Sequence, residues 1–491
     1  MNILLVQPTP PSDAWPRGLF RSHSVPLGLA HLAGELQRAG HVVQVELREA
    51  TLEKNGGDLA AADTAFLETL RTFRPGLIGF SATSPLIPEA NRLATVARET
   101  LGEDVLLLLG GPHATALGEQ CLLECAAFDA ACIGEGEQTI VEVASGGLSR
   151  EVAGLVLRKG DELVRTPPRA FQREPDQIAP PAWDLFDMDY HTTANPWMVR
   201  WLNLRTINLR TSRGCPNVCT FCAGHLTAGP GVRYHSIDYV AEQIQRAIDD
   251  WKIEAIIFED ETIGSNEAHL LALCDRFCRE GWNKKVKWAA CLRVDQARPD
   301  LLAAMKNAGC IQIEYGFESG SDAMLQVLSK NSSREQNLAA VALTREAGLR
   351  IFANVLFGLP GETKEDVQKT LQFIRETRCE VVSPAVLNPY PGTPIYTHLA
   401  DDMKASIRWD DYAYADRPGF EINLTAMDDQ EFFELYNRTQ KYFLSPLIAR
   451  QILRDAGGAT TAYTPALKKR ARRFAWHHPL QAARLPLAPR N

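Results

Sequence analysis

Long apolar runs are missing from this sequence. Nothing in its 491 residues approaches the roughly 18 consecutive apolar residues that a membrane-spanning helix requires, so no transmembrane segment is expected. A secretory leader is missing as well: Met1-Asn-Ile-Leu-Leu-Val runs straight into a probable strand, without a basic segment or a small-residue cleavage site, and the expected location is the cytoplasm. Excess positive charge is absent. With 52 Lys and Arg against 60 Asp and Glu, the net charge is −8, which argues against general nucleic-acid binding through a basic surface. Repeats and low-complexity tracts are absent too. The eleven cysteines are odd in number and scattered, which excludes a simple disulfide framework and fits reduced thiols, some of them metal ligands.

What is present is an alternation of short apolar runs with amphipathic helical stretches, over a length that calls for two to three domains. Within residues 1–150, strands are predicted at 2–6, 42–45, 77–80, 105–109 and 130–133, separated by helical patterns. Strands this apolar, interleaved with helices, predict an α/β domain with a doubly wound, flavodoxin-like parallel sheet that takes its ligand at the strands' carboxyl ends. Residues 151–200 read as a small hairpin followed by a proline-rich linker, with Pro167-Pro168, Pro175 and Pro180-Pro181. Across 201–396 the alternation resumes with six strand–helix units, which right-handed crossovers would curl into a partial or full β/α barrel. Residues 397–491 read as a helical, irregular region ending in a basic and aromatic tail, Lys468–Trp476. For that tail, contact with an anionic lipid surface competes with a solvated chain end.

Arg213-Gly214-Cys215-Pro216-Asn217-Val218-Cys219-Thr220-Phe221-Cys222 follows the first barrel strand. Three thiols in eight residues cannot share one face of a helix or strand; they converge only if the loop curls around something. Iron–sulfur clusters are held by cysteine thiolates, four in an electron carrier, so three would leave one iron open. Three other readings stand beside this one: a thioredoxin-type pair at Cys219 and Cys222, a Cys₃His zinc site completed by His225, and buried structural thiols. Position at the carboxyl end of a barrel strand favours a catalytic cluster.

The Cys-x₃-Cys-x₂-Cys spacing, with an aromatic residue before the third cysteine, resembles the signature of the radical S-adenosylmethionine superfamily. Further segments match in order: Ile257-Phe258-Glu259-Asp260-Glu261, Glu314-Tyr315-Gly316-Phe317-Glu318-Ser319-Gly320 and Asn354 to Glu362. The resemblance, over roughly 205–395, implies a 4Fe–4S cluster on Cys215, Cys219 and Cys222 whose fourth iron chelates S-adenosylmethionine. One electron then cleaves the sulfonium to methionine and a 5′-deoxyadenosyl radical. It further implies cofactor contacts at Phe221, Glu259, Asp260, Glu318, Ser319 and Gly358, and an electron donor such as flavodoxin or ferredoxin. Arg293, at the end of the third barrel strand, either reaches the cofactor's carboxylate or forms a rim salt bridge with Asp295. The turn Tyr390-Pro391-Gly392-Thr393-Pro394 either closes near the cofactor or is a plain proline-rich turn.

In the first domain, Ser81-Ala82-Thr83-Ser84, Gly110-Gly111-Pro112-His113 and Gly134-Glu135-Gly136-Glu137 follow strand ends, where backbone N–H groups suit an anionic ligand. The first turn, Gln7-Pro8-Thr9-Pro10-Pro11, lacks the G-x-G-x-x-G dinucleotide fingerprint. With Pro26-Leu27-Gly28-Leu29-Ala30-His31-Leu32-Ala33, these turns resemble the cobalamin domain of enzymes related to the anaerobic magnesium-protoporphyrin cyclase, over about 1–145. That implies cobalamin with its tail along Ser81, Thr83, Gly110 and Gly111, with Gly134 and Gly136 in the adjoining turn. The D-x-H-x-x-G motif that supplies a lower axial histidine is absent, and the resemblance implies cobalt without a histidine ligand. His113 is assigned to shaping its loop, and Cys121, Cys125 and Cys132 to packing.

The resulting expectation is a radical methyltransferase acting on an unactivated carbon, with methylcobalamin as donor and a small molecule as substrate, a lipid or pigment precursor being the guess. A cyclase of the protoporphyrin type is the nearest rival. A transfer-RNA methylthiotransferase and a non-catalytic corrinoid or zinc module stand further off.

Overall fold

The computed structural model describes residues 1–9, 23–200, 202–412 and 422–443. Strands β1 (Asn2–Gln7), β2 (Val42–Leu47), β3 (Leu77–Ser81), β4 (Leu106–Gly110) and β5 (Ala130–Cys132) pair in parallel in the order β2-β1-β3-β4-β5. Alternation along β1 explains the double winding. Ile3 and Leu5 join one core with the Leu27–Arg38 and Glu137–Gly146 helices, while Leu4 and Val6 join a second with the Leu59–Phe73, Ile87–Leu101 and Pro112–Glu124 helices. All four side chains are fully buried, as expected of a strand covered on both faces. The order reverses at β1, which opens a crevice between β1 and β3 at the carboxyl ends.

The expected hairpin is β6 (Leu155–Lys159) and β7 (Glu162–Arg165), and it belongs to this sheet. It pairs antiparallel with β5 and extends the edge to seven strands. The proline-rich stretch after it packs against both halves of the molecule. Ala182 N–H donates to Ala30 O at 2.9 Å, and the fully buried Trp183 donates its indole N–H to Gln243 Oε1 at 2.9 Å.

The second sheet contains β8 (Thr206–Leu209), then, after the short antiparallel pair β9 (Ser212–Arg213) and β10 (Arg233–Tyr234), β11 (Ala255–Phe258), β12 (Lys287–Cys291), β13 (Cys310–Glu318), β14 (Arg350–Phe357) and β15 (Val381–Val386). Its six parallel strands follow chain order from β8 to β15, and the two end strands do not pair. The barrel is therefore partial. Helices fill the connections and start at side-chain caps: Ser236 accepts from Tyr239 N–H, Ser333 from Gln336 N–H and Thr363 from Asp366 N–H. Pro384 sits in β15, an edge strand, where its missing N–H breaks no interior ladder. Phe432, Leu435 and Tyr436 of the Asp429–Phe443 helix join the barrel core. The basic tail at 468–476 lies outside the described residues.

Candidate active site between the two sheets

The cysteine loop begins where β8 ends, and its first turn is fixed by backbone contact. Gly214 has φ +102°, and a Cβ there would stand 2.2 Å from Gly231 O on the β10 side of the hairpin. Only glycine fits, and Cys215 is bridged to Pro230 just beyond it. Asp260, buried at the end of β11, accepts from Thr211 Oγ1 at 2.8 Å, Thr211 N–H at 3.1 Å and Ser212 Oγ at 2.5 Å. Its carboxylate holds the loop's entry strand. Cys219 is buried, Cys215 half-buried and Cys222 exposed. Asn217 Nδ2 donates to Cys215 Sγ at 3.4 Å, and Gly224 N–H donates to Cys222 Sγ at 3.3 Å. Among the described residues no group of three or more His, Cys, Asp or Glu side chains could hold a single metal ion.

Two charged side chains stand beside this loop: Glu261, the last acid of the 257–261 motif, and Lys330, which the sequence did not single out. Glu261 lies next to Gly224, 3.8 Å from Glu261 Cγ to a Cβ built there; one carboxylate oxygen meets Arg210 at 3.3 Å, and the other, buried, has no hydrogen-bond partner. Lys330 pairs with Glu318 at 2.7 Å and lies over the Phe221 ring at 5.8 Å. Burial opposes its charge, yet Glu318 holds the ammonium above its ordinary range. Burial pushes the Cys219 thiol up, while Lys330 and Arg293 pull it down. Glu318 itself has φ +58°, a strained conformation for a side-chain-bearing residue. A Cβ on Gly316 would stand 2.3 Å from Glu318 Oε1 and 2.8 Å from Lys330 Nζ, which accounts for that glycine. Phe221 packs with Leu328, Leu359 and Ile395.

Other expected contacts are spent within the protein. Ser319 is fully buried and bonds Thr370 Oγ1 at 3.0 Å. Arg293 takes the rim role, with Nε on Asp295 at 3.1 Å and Nη2 on Lys330 O at 2.8 Å. Gly358 N–H donates to Glu362 Oε2 at 2.7 Å, and burial pushes that carboxyl up to about 8. The Tyr390–Pro394 turn reaches the loop: Ile395 N–H donates to Thr220 O at 3.2 Å.

Between the sheets lies a cavity of about 1000 Å³, walled by the carboxyl ends of β1, β3, β4 and β5 and by the mouth of the half barrel. That is the upper end of what ligand pockets reach. Ser81, Gly110, Gly111, Gly134 and Gly136 line it. Thr83 does not; it is exposed before a short 3₁₀ turn. From the barrel come Trp197, Arg200, Arg213, Glu259 and Asn354, together with Thr227 and Ala228 just past the cysteine loop. Glu259 thus faces this cavity, where burial raises its carboxyl. His113 is buried behind the wall, bonded to Ser84 Oγ at 2.9 Å and edge-on to Trp409, which is the loop-shaping role. Cys121 and Cys125 are buried core thiols.

Residues 209–374 match the radical SAM superfamily and residues 19–144 the B12 binding domain. An uncharacterized methyltransferase of Pyrococcus horikoshii is 30% identical over 422 residues, covering 85% of this chain and 87% of that protein. The chain belongs to the radical SAM superfamily, in a cobalamin-binding family. The anaerobic magnesium-protoporphyrin IX monomethyl ester cyclase of Cereibacter sphaeroides is 27% identical over 388 residues, covering 77% of this chain and 61% of the cyclase. The fold is shared with OxsB, solved with aqua-cobalamin and S-adenosylmethionine bound (TM-score 0.71, 17% identity, 97% of this chain and 71% of that one). It is shared too with the methyltransferase TsrM of Kitasatospora setae (TM-score 0.66, 17% identity, 82% and 77%).

This radical SAM enzyme therefore takes a 4Fe–4S cluster, S-adenosylmethionine and cobalamin, and its own residues fit them. The donor set is three thiolates with sulfur-directed hydrogen bonds. The cavity is cradled by glycines, of which Gly28 and Gly134 face open space with nothing within 4 Å of a built Cβ. Among the described residues no helix is long and apolar enough to cross a membrane.

Proposed function

We propose that this enzyme methylates an unactivated carbon of a small molecule held in the cavity between the sheets. The observation carrying this reading is the cavity shared by the corrinoid-binding strand ends and the barrel mouth, lined by Arg213 just before the cysteine loop and by Thr227 and Ala228 just after it. Bound together, the three cofactors supply hydrogen-atom abstraction and a transferable methyl group, a pairing suited to a carbon with no acidic proton.

The chain's own contributions follow from the geometry. Cys215, Cys219 and Cys222 hold the cluster, and the Asn217 and Gly224 donors tune the electron density on two of the sulfurs. Glu261 offers its unpartnered carboxylate oxygen to the cofactor's ammonium, the role the resemblance implies for the carboxylates of the 257–261 motif. Lys330 and Phe221 flank the loop on the other side, the first as a cation for a carboxylate and the second as an apolar face. Ser81, Gly110, Gly111, Gly134 and Gly136 line the corrinoid's tail. Trp197, Arg200, Glu259 and Asn354 face the substrate. The division into residues 1–150, 151–200, 201–396 and 397–491 is adopted as working domain boundaries, with the hairpin of the second segment serving the first sheet. All eleven cysteines are free, which favours a reducing cytoplasm, where reduced flavodoxin or ferredoxin is the fitting electron donor.

The test is isotopic. Methyl-labelled S-adenosylmethionine, supplied to the reconstituted enzyme under anaerobic conditions, should pass its label to enzyme-bound cobalamin and then to product, and Cys215→Ala should abolish S-adenosylmethionine cleavage. Turnover with cobalamin that never carries label would replace methylation by the cyclase reading.

A further inference from the structure

Arg213 stands two residues before Cys215, on β9, yet its side chain leaves the barrel. It reaches the turn after β5, pairing with Glu137 at 2.6 Å and Glu135 at 3.3 Å. Arg233, on the partner strand β10, completes the group by pairing with Glu135 at 2.9 Å and donating to Ala228 O at 2.6 Å and Gln172 O at 2.7 Å. The four side chains are 10–13% exposed, and their charges cancel. Such a group holds its geometry closely, because losing any partner strands a charge in poor solvent.

Both ends of the group are tied to a cofactor. On one side, Gly134, Glu135, Gly136 and Glu137 are consecutive residues of a turn that lines the cavity. On the other, the backbone from Arg213 to Cys215 has little freedom: Gly214 is wedged against Gly231 O, and Cys215 is bridged to Pro230. A ligand that fixes the turn fixes the two glutamates, hence Arg213, and hence the first cysteine of the loop.

We infer that Arg213 is a positioning residue that couples the two cofactor sites, so that cobalamin in the cavity tightens the cluster loop and the assembled cluster tightens cobalamin. The inference rests on the cofactor assignment above. Coupling of this kind is reciprocal and commonly amounts to about 5- to 150-fold in affinity.

The experiment uses the full-length, anaerobically reconstituted enzyme. Iron release to a chelator is followed with and without bound cobalamin, and the cobalamin dissociation constant is measured by equilibrium dialysis with and without the cluster. Wild type should lose iron at least about 5-fold more slowly with cobalamin bound and should bind cobalamin more tightly by a similar factor when the cluster is present. Arg213→Gln should bind both cofactors with the two effects reduced to less than about 2-fold. Should that variant fail to fold, Glu137→Gln, which leaves Arg213 its Glu135 partner, should lower the coupling by an intermediate amount. A wild type that binds both groups without mutual effect overturns the inference and leaves the cofactor assignment standing. Variants that weaken both sites while preserving the coupling factor also overturn it, by reducing Arg213 to a structural role. A protein that binds neither group overturns both readings.

Discussion

Replacing Gly214 by alanine tests whether the cysteine loop is held by backbone geometry. The residue sits at φ +102°, and the added methyl carbon would lie 2.2 Å from Gly231 O, with Ala228 O at 3.2 Å and Gly229 O at 3.3 Å. The conformation alone costs about 1–3 kcal/mol for a residue with a Cβ. Contact with backbone oxygens, which cannot swing aside as a side chain would, adds about 1–3 kcal/mol. Gly231→Ala is the matched control on the same hairpin: its φ is +75°, with nothing within 4 Å of the new carbon, so the first cost applies without the second. The difference, about 1–3 kcal/mol, is roughly 5- to 140-fold in the population of correctly formed loops. After anaerobic reconstitution, iron and sulfide per chain should therefore fall far below wild type in Gly214→Ala and stay near it in Gly231→Ala. Equal iron content in the two variants would refute the reasoning.

Glu261→Gln should weaken S-adenosylmethionine binding by about tenfold while leaving cluster content intact, measured by equilibrium binding; Asp260→Asn should instead lower cluster content, since Asp260 braces Thr211 and Ser212. The fully buried Arg48 pairs with Asp63 at 2.5 Å and Glu89 at 3.5 Å, and Arg48→Met should cost about 3 kcal/mol in denaturant unfolding, the lower end for breaking a buried pair because Arg92 also serves both carboxylates. Burial lowers the His113 pKa to about 4 from 6.5, so its neutral form supports the fold above pH 6.5 and that support is lost as pH falls from 6.5 towards 4. At pH 5 the loss is about 2 kcal/mol, and His113→Gln should remove that part of the pH dependence of stability; an unchanged profile would contradict the assignment.

Both sheets and the cysteine loop were legible because each is written in local periodicity or close spacing. The pleat of β1, with Ile3 and Leu5 opposite Leu4 and Val6, needs no long-range knowledge. Three consecutive acids at 259–261 were not resolvable, because their roles depend on how the chain turns as β11 ends. Glu259 enters the cavity, Asp260 folds back to Thr211, and Glu261 meets the cysteine loop. The partner of Ser319 was hidden for a similar reason: Thr370, 51 residues away, shares a hydrogen bond with its hydroxyl. Lys330 and the Arg213–Glu137 pair were invisible because they join separate segments of the chain, while Thr83, named from its turn, lies two residues past the end of β3 and outside the cavity lining.

The proline-rich stretch between the sheets is mortar rather than tether. Pro180 O occupies the space a side chain on Gly34 would need, and Trp183 is seated against Trp251 on the opposite half. Buried residues of both sheets merge into one continuous core. The spacing between the corrinoid wall and the cysteine loop is cast when the chain folds, before any substrate arrives, and the described residues should melt in one transition rather than two.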